Sequence, residues 1–316
     1  EVDKPGTLLL SATDRVHQAV SFAGGVSPRG SLRNIAVLRN GREERRVDLL
    51  RFLLSHKKHI LVEKPLLVSE PEQISELEQL ARAAGVACYT AYNHRFEPHF
   101  ARMKRLIDSG ELGRLYRCRM FYGNGTARDV RNSPWRDQGA GVLPDLGSHL
   151  LDTALFWFGR SPRDFRVISC HRFETAAFDH VVVGAEGEPA LELEMTLLSW
   201  RNHFTCDLLA ERGSAHIESL CKWGPTLFTR RWRKLPSGRP DDEAVTLVQP
   251  DPTWALEYEH FKQLCGTGGS NIDNDLLAAS IRSMGIEPDL AITAEDARSY
   301  KPARGHWRHF EERTGA

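Results

Sequence analysis

The feature that most constrains this fold is a change in the pattern of apolar residues near residue 114. Up to that point, short apolar runs alternate with segments whose apolar residues recur at helical spacing. The predicted strands are Ile35 to Leu38, Ile60 to Val62 and Val86 to Ala91, and the predicted helices are Arg42 to Ser55 and the segment from Ser69 to Gly85. Such alternation predicts a parallel sheet with covering helices, which binds ligands at the carboxyl ends of its strands.

Beyond residue 114 the chain becomes a series of strands with one early helix, Gly147 to Phe158. The predicted strands are Leu115 to Tyr122, Phe165 to Arg172, Ala190 to Leu198, Phe204 to Ala210, Leu227 to Trp232 and Val245 to Val248. Consecutive strands without helices between them predict an antiparallel sheet. We therefore expect an α/β domain over residues 1–97, followed by an α+β domain over residues 98–316.

Charge and composition exclude several classes of protein. The 42 basic and 42 acidic residues balance, which gives no reason to expect a nucleic-acid partner. No apolar run approaches the roughly 18 residues of a membrane span, and residues 1–6 lack the pattern of a signal peptide. The six cysteines include no C-x-x-C pair, so we expect reduced thiols in a cytoplasmic protein, without a disulfide framework or a metal site.

The first candidate site is Glu63-Lys64-Pro65, directly after the predicted strand Ile60 to Val62. A lysine at the carboxyl end of a parallel strand faces the ligand crevice, and the following proline restricts Lys64 to extended conformations. An ammonium fixed in this way can hydrogen-bond a substrate hydroxyl and exchange its proton. The alternative is a solvated Glu-Lys pair at a turn.

The second candidate site combines Asp145, His149 and Asp152, which share one face of a helix at spacings of four and three residues. A carboxylate beside an imidazole orients the ring and raises its basicity, which suits general acid/base catalysis. The arrangement is also half of a metal site, although no further His or Cys lies nearby in the sequence. The remaining alternative is an ordinary helix start with a hydrogen-bonded histidine.

The third candidate site is Asn93-His94-Arg95, which follows the predicted strand Val86 to Ala91. Because this strand and the one before Lys64 end at the same edge of a parallel sheet, we expect these side chains to lie beside Lys64. The alternative is a polar turn that opens the next helix, Pro98 to Ser109.

Together these motifs resemble the Gfo/Idh/MocA oxidoreductase family, the group of glucose-fructose oxidoreductase and inositol dehydrogenase. The matching segments are His59 to Pro65, Tyr92 to Phe96, Gly110 to Gly113, Trp135-Arg136 and Gly139 to Asp152. The resemblance implies a Rossmann-like domain for NAD or NADP and a C-terminal domain with a large, mostly antiparallel open sheet. It also implies a small sugar or polyol-like substrate and a homo-oligomer, a dimer or tetramer, formed through that sheet.

The resemblance also implies roles for individual residues. Lys64, Asp145 and His149 match the catalytic positions, with His149 as the acid/base and Lys64 on the reacting oxygen. The same three residues and His94 match substrate-binding positions. The positions that match the cofactor side are those of Glu63, Lys64, Asn93 and Arg136. On this basis the chain transfers a hydride between nicotinamide and a sugar or polyol carbinol or carbonyl.

The N-terminal segment departs from the family pattern because it has no G-x-G-x-x-G motif to bind the pyrophosphate. Thr7 to Leu10, followed by Asp14, would then be the family's second strand with its ribose-binding acid. Three hypotheses remain open at this point. The chain is an active dehydrogenase or reductase, a non-catalytic or cofactor-deficient relative with a shortened Rossmann-like domain, or a nicotinamide-assisted glycosidase on the same fold.

Overall fold

A computed structural model of the chain describes residues 35–39, 42–64, 72–132, 137, 139–161 and 164–267. The chain divides into two compact units, of which the smaller contains the described residues up to Leu53 and the larger begins at Leu54. No helix within the described ranges is both long enough and apolar enough to cross a membrane.

The described part of the smaller unit corrects two predictions. Strand β1 (Ile35–Arg39) pairs antiparallel with β2 (Arg42–Val47), so β1 is not part of a parallel sheet among the described residues. Helix α1 (Leu49–Ser55) begins seven residues later than predicted. The Asp48 carboxylate accepts hydrogen bonds from the backbone N–H groups of Leu50 (3.0 Å) and Arg51 (3.2 Å), which caps the first turn of α1 there.

The larger unit opens with the predicted parallel pair. Strand β3 (Ile60–Glu63) pairs in parallel with β4 (Cys88–Ala91), and helix α2 (Glu72–Ala84) connects them. Gly85 follows α2 with a φ of 66°, the left-handed conformation that ends many helices. The strand–helix–strand prediction is therefore confirmed for this segment, and it brings the ends of both strands to one edge.

An eight-stranded sheet forms most of the larger unit, in the order β12-β11-β10-β9-β5-β8-β7-β6. Its strands are β5 (Leu115–Gly123), β6 (Arg166–His171), β7 (His180–Ala185), β8 (Ala190–Thr196), β9 (His203–Ala210), β10 (Gly213–Glu218), β11 (Thr226–Trp232) and β12 (Asp241–Leu247). All neighbours pair antiparallel except β5 and β8, which are parallel. The large, mostly antiparallel sheet is thus confirmed, and β7 and β10 are the strands that the sequence pattern missed.

Helices pack against this sheet and against the parallel pair. They are α3 (Pro98–Asp108), α4 (Ala127–Arg131), α5 (Ser148–Phe158) and, at the end of the described chain, α6 (Thr253–Thr267). The Phe100 ring packs 5.0 Å from the Trp157 ring and 5.0 Å from the Phe204 ring, between centroids, so α3, α5 and β9 share one core. A single π-helical turn, Leu143–Gly147, leads directly into α5.

Candidate active site

Lys64 lies one residue beyond the end of β3 and reaches the π-helical turn before α5. Its buried Nζ donates a hydrogen bond to the backbone oxygen of Asp145 at 2.8 Å and lies 3.5 Å from Asp145 Oδ1. Burial lowers the pKa of the Lys64 ammonium, and the Asp145 carboxylate acts in the opposite direction. The fold therefore brings together two residues that are 81 positions apart in the sequence.

The two carboxylates predicted to lie beside His149 each contact a cation. Asp145 sits in the π-helical turn rather than in α5 itself and contacts Lys64. Asp152 forms a two-pronged ion pair with Arg95, with Nε–Oδ2 at 2.9 Å and a second N–O distance of 2.6 Å. His149 Nδ1 is buried and has no hydrogen-bond partner among the described residues. The extra residue of the π-helical turn interrupts the single face that the spacing predicted.

His149 stacks instead on a second histidine. Its ring centroid lies 3.9 Å from that of His94, with an angle of 17° between the planes. His94 is buried, and neither of its ring nitrogens has a hydrogen-bond partner within the described residues. Burial holds the pKa of both imidazoles well below the usual range, and the charges of Lys64 and Lys222 lower it further. Both rings are therefore neutral at pH 7, and either can accept a proton or a hydrogen bond.

A second ammonium, which the sequence analysis missed, belongs to Lys222. It lies in the short 3-10 turn Cys221–Trp223 between β10 and β11. Its Nζ donates to Tyr122 Oη at 3.3 Å and lies 5.0 Å from the Trp223 ring centroid. The Tyr122 ring is 6.0 Å from the His149 ring and 5.5 Å from the His94 ring, between centroids. Nothing in the sequence around Lys222 distinguishes it from a solvated loop lysine.

The structure describes some of the residues predicted to lie on the cofactor side and not others. Glu63 ends β3, and its buried Oε1 has no hydrogen-bond partner among the described residues. Desolvation raises the pKa of this carboxyl to about 7. Asn93 Nδ2 donates to Thr253 Oγ1 at 2.9 Å, which joins the end of β4 to the start of α6. Asp14 and Arg136 lie outside the described residues.

Helix α6 packs against the parallel pair, a contact that the sequence analysis did not predict. The Tyr89 hydroxyl donates to Glu257 Oε1 at 3.3 Å, and the Tyr89 ring lies 5.6 Å from that of His260. Glu257 is buried, and desolvation together with the nearby Glu63 carboxyl raises its pKa to about 8. Two carboxyl groups of raised pKa therefore lie near the end of β3.

One group of possible metal ligands occurs within the described part of the chain. Single ligand atoms of Glu97, Cys221 and Asp251 lie within 4.8 Å of one another. Glu97 Oε2 accepts a hydrogen bond from the Cys221 backbone N–H at 3.2 Å, and Asp251 Oδ1 accepts one from the Thr253 backbone N–H at 2.9 Å. Both carboxylates thus already bind backbone groups, and the second caps α6.

The chain is similar to one protein family and to several known dehydrogenases. Residues 100–216 match the GFO/IDH/MocA C-terminal domain family. The chain is 27% identical to trans-1,2-dihydrobenzene-1,2-diol dehydrogenase of Oryctolagus cuniculus over 184 residues, 57% of this chain and 55% of that protein. It is 32% identical to scyllo-inositol 2-dehydrogenase (NADP(+)) IolW of Bacillus subtilis over 108 residues, 32% of this chain and 28% of that protein. The chain thus spans less than two thirds of either relative.

Solved structures show the same fold. Levoglucosan dehydrogenase in complex with NADH and levoglucosan superimposes with a TM-score of 0.62 at 19% identity, and the match covers 75% of this chain and 74% of that one. A putative NADPH-dependent oxidoreductase from Desulfitobacterium hafniense superimposes with a TM-score of 0.64 at 17% identity, over 75% and 72% of the two chains. At these identities the likeness establishes the fold class, a Rossmann-like domain followed by a large open sheet.

Proposed function

We propose that the chain, whose residues 100–216 match the GFO/IDH/MocA C-terminal domain, is a Gfo/Idh/MocA-type NAD(P)-dependent oxidoreductase acting on a sugar or polyol derivative. The observation that carries the proposal is the contact between Lys64 and Asp145 beside the neutral His149 ring. Lysine, aspartate and histidine converge there at the end of a parallel strand, where open α/β sheets bind their ligands.

The polar groups at this edge fit a dinucleotide. Glu63 Oε1 is buried without a partner among the described residues, so it is available to hydrogen-bond the bound cofactor. NAD or NADP would supply a hydride acceptor or donor next to Lys64. We include Asp14 and Arg136 in the proposed cofactor site through the family resemblance alone, together with Glu63, Lys64 and Asn93.

Residues of the chain itself would then accept and return the proton of the carbinol hydroxyl. In oxidation, the Lys64 ammonium donates a hydrogen bond to the carbinol oxygen, and the neutral His149 ring accepts the hydroxyl proton as the carbon loses its hydride. In reduction, the protonated ring returns that proton to the oxygen. Asp145 positions the Lys64 ammonium through the contacts at 2.8 and 3.5 Å. His94, stacked on His149, faces the substrate.

The family resemblance also suggests the roles of the two domains and the oligomeric state. We propose that residues 1–97 bind the nucleotide and that residues 98–316 bind the substrate and form a homo-oligomer through the open sheet. Relatives support the substrate class: one is named as acting on scyllo-inositol with NADP, and a structural neighbour holds NADH with levoglucosan. We further propose a cytoplasmic enzyme with no nucleic-acid or membrane partner.

Nucleotide titration followed by a turnover screen tests this proposal. NADH and NADPH are titrated into the purified chain by calorimetry, and polyols and aldoses are then screened by following the absorbance of the reduced nicotinamide. We expect binding of one nucleotide and turnover whose kcat His149→Ala lowers by about 100-fold or more. A folded chain that binds neither nucleotide contradicts the proposal and supports a cofactor-deficient relative. Hydrolysis of an aryl glycoside would instead support the glycosidase.

A further inference from the structure

Lys222 is a charged side chain beside the proposed site that the hydride-transfer mechanism does not use. Among the described residues, no carboxylate oxygen lies within 4 Å of its Nζ, and its one hydrogen bond is the donation to Tyr122 Oη. The residue as a whole is exposed, but burial around Nζ lowers the pKa of the ammonium, and the nearby Glu97, Asp251 and Asp145 carboxyls act in the opposite direction. An ammonium held at the site but left without an anionic partner is available to a charged ligand.

The nearest carboxylates already have other partners. Asp145 contacts Lys64, and Asp251 Oδ1 accepts the Thr253 backbone N–H at the start of α6. The buried Glu97 carboxyl accepts the Cys221 backbone N–H, and burial raises its pKa and so favours its neutral form. None of these three groups therefore neutralises Lys222 by direct contact.

The Tyr122 hydroxyl supplies a second donor. Because Oη accepts a hydrogen bond from Lys222, its own proton points elsewhere and has no acceptor within the described chain. Burial raises the pKa of Tyr122, so the hydroxyl keeps this proton at neutral pH. The Tyr122 ring also borders both His94 and His149, so the residue belongs to the cluster of rings around the proposed acid/base. An ammonium and a hydroxyl, both donors, match the two oxygens of a carboxylate.

We propose that Lys222 and the Tyr122 hydroxyl bind a carboxylate of the substrate, so that the preferred substrate is an acidic sugar or polyol derivative. This inference rests on the proposed oxidoreductase function. Lys222 is then a specificity-determining residue: it recognises the charge on the substrate, while Lys64 and His149 act on the reacting carbinol.

Matched substrate pairs test the inference. D-glucuronate is compared with D-glucose, and D-gluconate with D-glucitol, with glucose 6-phosphate as a second anion. We expect the carboxylate member of each pair to have the higher kcat/KM. Lys222→Gln should lower the acid-to-neutral ratio of kcat/KM by about tenfold or more, mainly through KM, and Lys222→Arg should restore part of it. Tyr122→Phe should lower the ratio severalfold.

Lys262→Gln is the matched control, because this lysine pairs with Glu259 on the surface of α6. Turnover with no preference for acids, or an unchanged ratio in Lys222→Gln, overturns the inference while the proposed function stands. A preference for the phosphate over the carboxylates overturns it as well.

If no carbinol is turned over, the proposed function fails, and binding of glucuronate still tests the subsite. Glucuronate is then titrated by calorimetry into the wild type and Lys222→Gln. Binding that the substitution weakens about tenfold supports the carboxylate subsite, and equal or absent binding overturns it.

Discussion

The ring of His94 lies stacked on the ring of His149, with centroids 3.9 Å apart and planes 17° from parallel. Two imidazoles this close cannot both carry a charge without strong repulsion, and burial already favours the neutral form of each. The two buried imidazoles beside Lys64 are therefore neutral and largely shielded from water. Their protonation behaviour is the first property that experiments can check.

Activity should depend on Lys64 and His149. We expect Lys64→Ala and His149→Ala each to lower kcat by about 100-fold or more, the size of a general acid/base contribution. Steady-state kinetics on the best substrate measures the effect. Lys58→Ala and His171→Ala, at exposed positions, are matched controls that should retain wild-type rates. Wild-type rates in either site variant would remove that residue from the mechanism.

The pH dependence of oxidation should reflect the lowered pKa of His149. An ordinary imidazole gains its proton near pH 6.5 and would lose its function as a base below that pH. Since burial and the nearby cations hold the pKa of His149 well below this value, the ring stays neutral at pH 6. We expect kcat/KM for oxidation to show no inflection at pH 6.5, measured between pH 8 and pH 5.5 in Glu63→Gln, since the pKa of the Glu63 carboxyl is about 7. An inflection there that persists in His171→Ala would contradict the assigned environment.

The stability of the fold should fall as the pH rises, because of Glu257. The pKa of this carboxyl has an ordinary value of 4.5 and is about 8 in the folded chain. Between pH 4.5 and about pH 8, therefore, the folded state holds a proton that the unfolded state has lost. This contribution to stability is complete below pH 4.5 and is lost as the pH rises through about 8. Glu257→Gln removes the titration and keeps an acceptor for Tyr89. We expect the Tm of the variant to rise relative to wild type from pH 6 to pH 9.

Glu259→Gln is the control for that series, since Glu259 is an exposed residue of the same helix that pairs with Lys262. Its Tm should follow the wild type across the whole range. Parallel curves for wild type and Glu257→Gln would show that the Glu257 carboxyl has an ordinary pKa.

Breaking the buried pair of Arg95 and Asp152 should destabilise the protein strongly. Asp152 is almost wholly buried, and Asp152→Asn leaves the Arg95 guanidinium without its anionic partner. Loss of one partner from a buried pair costs about 3–5 kcal/mol in the free energy of unfolding. Urea denaturation measures this value. Asp108→Asn breaks the more exposed pair with Lys104 and should cost less than about 1 kcal/mol.

Gly141 should tolerate no side chain. Its φ is 56°, and a Cβ there would lie 2.0 Å from the backbone oxygen of Phe178, which accepts the Val142 N–H at 2.8 Å. Gly141→Ala should therefore cost clearly more than the roughly 1–2 kcal/mol of the left-handed conformation alone. Gly110→Ala is the control, with a φ of 67° and no atom within 4 Å of the added Cβ. Equal losses of unfolding free energy in the two variants would mean that the close approach to Phe178 is relieved at no cost.

The local patterns predicted much of the fold. Strong periodicity and a glycine after the last turn identified α2, and alternation identified most strands of the large sheet. The prediction failed at Arg42 to Val47, which the helical spacing of Val47, Leu50 and Leu54 assigned to a helix and which forms β2 against β1. The competing determinants there are the Asp48 cap and strand pairing, and neither is visible in a periodicity of apolar residues.

The sequence by itself determined which residue types lie at the ends of β3 and β4. This is because Glu63-Lys64-Pro65 lies at the end of β3 and Asn93-His94-Arg95 comes shortly after β4 in the chain. Only the tertiary structure decided what they touch. The spacing of Asp145, His149 and Asp152 predicted an acid beside an imidazole, but Lys64 and Arg95 contact the two carboxylates, and His94 stacks on the ring. Lys222 joins the same site from a loop more than 70 residues further along the chain. Such contacts depend on long-range packing and on the pairing of buried charges, which no local pattern encodes.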